Sequence, residues 1–160
     1  RRRGAAGDLD PLLVLPFAHG KDLPDAHAWA YDAHLLDALA ATPGLAIVDG
    51  ARADQALHQP SAMRAGQFDM AALHLLAAAS RVLQPTLQHT PDGWRVQAQL
   101  HALDASPTAI DGPLAKTAPE ALREWLRAPA FRDAMRVTSS PVLAMPDEDK
   151  ALDAYGLSGI

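Results

Sequence analysis

The chain contains no cysteine, and only 5% of its 160 residues are aromatic. Without cysteine, disulfide bonds, thiol catalysis and cysteine-based zinc sites are excluded. No apolar run approaches the roughly 18 residues of a membrane-spanning helix. The remaining composition, 49% hydrophobic and 21% charged, is that of a globular protein. We expect one domain with one core, in which alanine supplies much of the apolar volume.

Excess positive charge is also missing, since the net charge is -5 at pH 7. Proteins that bind nucleic acid concentrate Lys and Arg on one surface, so nucleic acid is not an expected partner. The one basic run, residues 1–3, opens a Gly/Ala-rich segment. We interpret residues 1–10 as a flexible lead, either juxtamembrane or simply solvated. Because the chain does not begin with Met, we expect it to be part of a longer protein.

The first third of the chain alternates strand and helix patterns. The apolar run at residues 12–17 predicts a strand covered on both faces. A helix is predicted between Pro24 and Thr42, because apolar residues recur there at spacings of three and four. These residues are Ala28, Tyr31, Leu35, Leu36 and Leu39. Residues 45–48 predict a second strand, and the order strand, helix, strand predicts a right-handed parallel crossover.

A β-hairpin is the clearest local pattern, with strands at residues 81–90 and 94–103 around the turn sequence Pro-Asp-Gly. Apolar and polar residues alternate strictly, which predicts one core face and one polar face. The predicted polar face consists of Gln84, Thr86, Gln88, Arg95, Gln97, Gln99 and His101. Pro85 has no N–H for the ladder, so its strand is predicted to lie at an edge or to be bulged there.

Further helices are predicted later in the chain. A short one is predicted over residues 51–58, and another begins at Asp69, which can cap it, and ends near Ser80. The capping-box pattern at Thr117 starts a helix with Trp125 facing inward, and a final short helix follows around Phe131. Together the patterns predict an α/β three-layer sandwich with a small mixed sheet of four or five strands.

Two regions are candidate binding sites. Ligands of open α/β sheets bind beyond the carboxyl ends of parallel strands, where His19, Lys21 and Asp22 would meet Asp49. A hydrolase using His19 and Asp49 is one alternative there, although no serine or cysteine nucleophile accompanies the pair. The polar hairpin face is the other region. It is either a solvated sheet face or a surface that recognises peptide or glycan groups.

The first predicted helix also carries two histidines and a tryptophan that could belong to a site. His27 and His34 lie seven residues apart, which separates them by about 10 Å along a helix and excludes a shared metal ion. Trp29 falls outside the main apolar stripe, and an exposed tryptophan there would mark a contact surface.

Four motifs follow one another along the chain: Leu13-Val14-Leu15-Pro16-Phe17, residues 39–48, residues 81–83 and residues 94–105. In this order and in these motifs the chain resembles the TolB amino-terminal-like domain, over residues 12–126. It implies an extracytoplasmic domain of a bacterial signalling protein. Such domains follow a membrane span after a winged-helix, cyclase or Ser/Thr kinase domain, and often precede tetratricopeptide repeats. No catalytic residues are implied.

We therefore expect a non-enzymatic sensor or protein-interaction module without cofactor or metal, periplasmic and tethered to the inner membrane in its parent protein. The folded domain is expected at residues 11–137 and a surface tail or linker at 138–160, with a helical turn near Leu152. Expected partners are a protein, a small periplasmic ligand or a second copy of the chain. An envelope-assembly lipoprotein and a dimerisation domain remain alternatives.

Overall fold

A computed structural model describes residues 11–103 and 105–144. The predictions for residues 1–10 and for Leu152 lie outside these ranges. The elements are β1 Leu12–Val14, β2 Ala18–His19, α1 Asp25–Ala40, α2 Gly50–Leu57, β3 Met63–Arg64, β4 Gln67–Phe68, α3 Met70–Leu76, β5 Arg81–Thr90, β6 Gly93–Ala102, β7 Thr108–Asp111, α4 Ala118–Arg127 and α5 Pro129–Met135. Among the helices of the described ranges, none is long and apolar enough to cross a membrane.

The main sheet is mixed, as predicted. Its order is β1-β5-β6-β7, with β2 also paired to β5. β1 and β2 run parallel to β5, whereas β5, β6 and β7 are antiparallel neighbours. The predicted hairpin is present, with Thr90 paired to Gly93 across a two-residue turn. The α/β class and the mixed sheet are thus confirmed.

The predicted second strand at residues 45–48 is reduced to a single parallel bridge between Ile47 and Leu12. Two hydrogen bonds hold it, from Leu12 N to Ala46 O and from Val48 N to Leu12 O, both 2.9 Å. The next residue, Asp49, already caps α2 with its carboxylate, so the chain leaves the sheet after one pair. After α1 the chain therefore returns parallel to β1, but it pairs with β1 at only one residue, Ile47.

The predicted first strand is continuous in direction but broken in pairing. Leu12 pairs with Arg81, whereas Ala18 pairs with Thr86, so one extra residue is accommodated between β1 and β2. The break faces Pro85. Leu15 N donates to Leu83 O, and because alternate residues address the same neighbour, the missing N–H of Pro85 also faces this strand. The edge prediction for Pro85 is wrong, since β5 is central, and the bulge lies in its partner strand.

Helices cover the two faces of the sheet unequally. One face packs against α1, α4 and α5 in a core centred on Tyr31, Trp125 and Phe131. The other face packs against α2 and α3 through Leu13, Leu15, Val82, Ala56 and Leu73. Helix layers therefore lie on both sides of the sheet, but the second layer covers only the part beside β1.

The predictions for the middle of the chain need two corrections, one at the end of α3 and one at a hairpin. The Asp69 carboxylate accepts from Ala72 N, as expected, but α3 ends at Leu76 rather than near Ser80. Ala78 there has a left-handed backbone (φ 52°), which no helix continues. The β3–β4 hairpin was not predicted. Its turn, Ala65 (φ 54°) and Gly66 (φ 81°), lacks the Asn-Gly sequence typical of such turns.

The carboxyl-terminal helices complete the larger core. Thr117 caps α4 by accepting from Glu120 N, and Trp125 is fully buried, both as predicted. Arg132, in α5, donates from Nη1 to Oγ of Ser140, which lies beyond the helix, at 2.8 Å. Leu143 is buried in the larger core. The packed part of the chain thus extends at least to Leu143, beyond the expected boundary at residue 137.

Candidate functional site

The chain connections beside β1 switch from one face of the sheet to the other. From the carboxyl end of the first strand the chain passes to α1 on one face, whereas from Ile47 it passes to α2 on the other face. The first strand continues to His19, but the neighbouring segment leaves the sheet at Asp49. No described strand therefore fills the place beside residues 14–16. Ligands of open α/β folds bind in crevices outside the carboxyl ends of the strands.

A cleft of about 640 Å³ opens there between α1 and α2. We call it the switch-point cleft. Its floor is residues 14–16 and 47–50, and its helix walls carry Trp29, Asp32, Leu36, Asp37, Asp54 and Leu57. Trp29 is 65% exposed, in agreement with the expectation that it lies outside the core. Leu36, expected in the buried stripe of α1, instead lies at the cleft surface.

Asp32 is a partly buried carboxyl group on the α1 wall of the cleft. Its Oδ1 accepts from Phe17 N at 2.8 Å. Burial raises the pKa of Asp32 to about 6, although the Phe17 hydrogen bond and the nearby His19 each lower it in part. A carboxylate held on an apolar wall with a raised pKa is a common property of binding and catalytic sites. The sequence reasoning did not single out Asp32.

A second row of residues along α1 is the sequence pattern from which Asp32 could have been identified as a cleft residue. Trp29, Asp32, Leu36 and Ala40 recur at spacings of three and four along α1, beside the buried stripe. An aromatic residue, a carboxylate and a leucine on one such row form a mixed surface, neither purely apolar nor purely solvated.

The other predicted site residues near β2 have separate partners. His19 Nε2 lies 3.2 Å from Asp25 Oδ1, and its Nδ1 lies 2.9 Å from Gly20 O. Asp49 lines the cleft, but its carboxylate accepts from Arg52 N at 3.0 Å as the cap of α2. The structure therefore pairs His19 with Asp25, not with Asp49.

Lys21 and Asp22 are exposed on the loop after β2. Asp22 Oδ2 lies 3.0 Å from His89 Nδ1, and the His89 ring stacks on Trp94 at 4.1 Å. These contacts attach the loop to the turn end of the hairpin. Trp94, expected in the core, is only partly buried and packs at its margin.

In the described ranges, no group of three or more His, Asp or Glu side chains is placed to hold a metal ion.

The predicted polar face of the hairpin does lie on one side of the sheet. Gln84 pairs with Gln99, Thr86 with Gln97 and Gln88 with Arg95. β7 adds Ala109 and Asp111 to the same side, because these residues pair with Gln99 and Gln97. α2 and α3 do not reach this part of the sheet, and a shallow hollow of about 530 Å³ lies on it. We call this surface the polar shelf.

The β3–β4 hairpin borders one end of the polar shelf. Met63, Phe68, Gln84 and His101 line a second hollow there, of about 540 Å³. His101 Nε2 lies 3.2 Å from Gln84 Oε1. Burial, and next the neighbouring His74, lower the pKa of His101, so the ring is neutral at neutral pH. This end of the shelf is therefore polar but uncharged.

Compared with models of known protein families, the chain matches none, and comparison with curated proteins also finds no match. The resemblance to the TolB amino-terminal-like domain therefore stays a prediction.

Proposed function

We propose that this chain is a non-enzymatic recognition domain, a sensor that binds a small ligand in the switch-point cleft. The observation that carries the proposal is the cleft itself. It combines apolar walls, a few convergent polar groups and a carboxyl group of raised pKa at the switch point. A largely apolar pocket with those features is the usual form of a small-molecule site.

The wider setting is also a proposal. The motif resemblance supports a periplasmic domain of a membrane-tethered bacterial signalling protein, in which ligand binding outside the membrane would be transmitted to an effector domain. Hydrolysis by His19 and Asp49 is less favoured, because Asp25 and the α2 cap already engage the two side chains.

A titration monitored by amide NMR tests the proposal. The probes are neutral, cationic and anionic aromatic molecules of roughly 8 to 15 non-hydrogen atoms. We expect some of them to shift the Trp29 indole signal and the amides of Val48 and Gly50 in a saturable manner. Ala53→Phe fills the cleft wall and should abolish these shifts. Ala71→Phe places the same side chain on exposed α3, outside the cleft, and should leave them unchanged.

The result that overturns the proposal is either of two findings. One is that no probe produces saturable shifts at the cleft. The other is that a folded Ala53→Phe protein binds as well as the wild type. If Ala53→Phe lowers the melting temperature strongly, Ala40→Phe replaces it as the blocking variant. Ala40 lines the same cleft and is exposed at the end of α1, so the larger side chain does not have to enter the core.

Protein interaction through the polar shelf is the second candidate function. The observation that favours it is the composition of the shelf, which is dominated by amides rather than by the Lys and Glu of a typical solvated face. Light scattering over a concentration series tests self-association. A dimer that is lost on the double substitution Gln97→Lys and Gln99→Lys supports the shelf as its interface, and a monomer at all concentrations contradicts self-association there.

A further inference from the structure

The charges around the switch-point cleft have one sign. Its ionisable lining residues are Asp32, Asp37, Asp49 and Asp54, and none of the described lining residues is Lys, Arg or His. Two of these carboxylates already have partners, because Asp49 caps α2 and Asp54 lies 3.4 Å from His58. Asp32 uses one oxygen for Phe17 N. Over the residues that the structure describes, the cleft is therefore an apolar recess lined by carboxylates, with no cationic side chain among them.

An inorganic cation does not fit this recess. Metal ions such as Mg²⁺ and Ca²⁺ need several oxygen ligands converging within about 2 to 2.6 Å. The carboxylates of the cleft are spread over α1 and α2, and within residues 11–103 and 105–144 no three acidic or imidazole groups cluster closely enough for such an ion. The largest part of the lining is apolar, which a hydrated ion would leave unused.

An organic cation uses both parts of the lining. Asp32 offers a partly buried carboxylate that is costly to keep charged without a counter-ion. Trp29, whose ring is mostly exposed at the rim, offers an aromatic face, and cations are attracted to tryptophan faces more strongly than to other rings. Leu36 and Leu57 offer contact for an apolar body.

We propose that the switch-point cleft binds an organic cation with an apolar body, its amine or quaternary ammonium group against Asp32 and its body against Trp29, Leu36 and Leu57. This inference rests on the proposed ligand-sensing function and names its ligand class. Anionic ligands are disfavoured by the same four carboxylates, so the cleft discriminates by charge as well as by shape.

Three probes that share a phenylethyl body and differ in the charge of the attached group test the charge preference. They are 2-phenylethylamine, which is cationic near neutral pH, 2-phenylethanol, which is neutral, and 3-phenylpropionate, which is anionic. We expect the amine to bind about tenfold more tightly than the alcohol, and the propionate to show no saturable binding. Affinities are measured from the Trp29 indole shift and checked by calorimetry.

Asp32→Asn is the decisive variant, because it removes the charge but keeps an oxygen for Phe17 N. We expect the amine preference to fall to less than about twofold while the affinity for the alcohol is unchanged. Asp133→Asn, which removes an exposed carboxylate from α5, is the matched control and should leave all three affinities unchanged. A loss of alcohol binding in Asp32→Asn would mean that Asp32 acts on the shape of the cleft, which contradicts the inference.

The outcomes separate this inference from the function on which it rests. If the amine and the alcohol bind the cleft equally, or if the propionate binds best, the cation inference is wrong and the recognition function stands. If none of these probes and none of the wider probe set shifts the cleft signals, both are wrong.

Discussion

Leu83, Val96 and Leu100 point from the hairpin into the core beneath α4, whereas their neighbours Gln84, Gln97 and Gln99 point to the opposite face and reach solvent. The same two strands thus contribute to a closed face and to an open one. On the closed face these apolar side chains belong to the core that contains α1, α4 and α5. On the open face α2 and α3 stop short, leaving the polar shelf. We therefore expect substitutions on the closed face to lower the free energy of unfolding most. The proposed recognition surfaces lie where the helix coverage ends.

The largest expected difference between the closed core and an exposed surface concerns tryptophan. Trp125 is fully buried, donates from Nε1 to Ile110 O at 3.0 Å and packs edge-on against Phe131. We expect Trp125→Ala to lower the free energy of unfolding by about 4 kcal/mol. Trp29→Ala, at the exposed cleft rim, should lower it by less than about 0.5 kcal/mol. Urea denaturation measures both, and similar losses would contradict the comparison.

Two adjacent residues of β6 give a closer test. Leu100 is buried on the closed face and Gln99 is exposed on the open one. Leu100→Ala should cost about 3 kcal/mol, because it leaves a cavity beneath the helices. Gln99→Ala should change the free energy of unfolding by no more than about 0.5 kcal/mol. If Gln99→Ala costs as much as Leu100→Ala, the shelf is a structural surface rather than an open one.

At Asp32 we expect a substitution to raise the free energy of unfolding instead of lowering it. Its pKa is raised from 3.8 to about 6, so between these pH values the folded state holds a proton that the unfolded state has released. Stability from this group is therefore present at low pH and lost as the pH rises through that window. Each pKa unit is worth about 1.4 kcal/mol, and partial exposure reduces the total to roughly 1 to 2 kcal/mol.

We accordingly expect Asp32→Asn to be more stable than the wild type by about 1 to 2 kcal/mol near pH 7 and equal to it below about pH 4. Denaturation of both proteins over a pH series measures the difference. A variant that is less stable near pH 7 would show that the charge of Asp32 has a compensating partner. A natural carboxylate that costs stability is expected at a binding site.

The smallest effect is expected in the hairpin that borders the polar shelf. Ala65 has a left-handed backbone, which asparagine adopts more readily than alanine. Ala65→Asn should raise the free energy of unfolding by about 0.5 kcal/mol. The same substitution at exposed Ala71 in α3 should lower it by about 0.5 kcal/mol, because asparagine is a poorer helix former. Equal effects at the two positions would contradict this account of the β3–β4 turn.

Local patterns predicted most elements correctly. The hairpin, the helices capped by Asp49, Asp69 and Thr117, and the polar face were all read from residues within a few positions of one another. The errors lie where two distant segments compete. Residues 45–48 are apolar enough for a strand, yet the α2 cap takes the chain out of the sheet after one pair. Pro85 suggests an edge, yet its partner strand bulges and lets β5 remain central.

The sequence by itself determined the alternation of the hairpin, the helix caps and the charge balance, because each depends on side chains and backbone groups that are neighbours along the chain. Tertiary structure alone decided which part of the sheet is left uncovered and which carboxylate becomes buried. Asp32 is an ordinary helix residue until the first strand, the Ile47 segment and α2 meet around it. Burial and its effect on pKa belong to that assembly, since desolvation depends on which atoms surround the group in space.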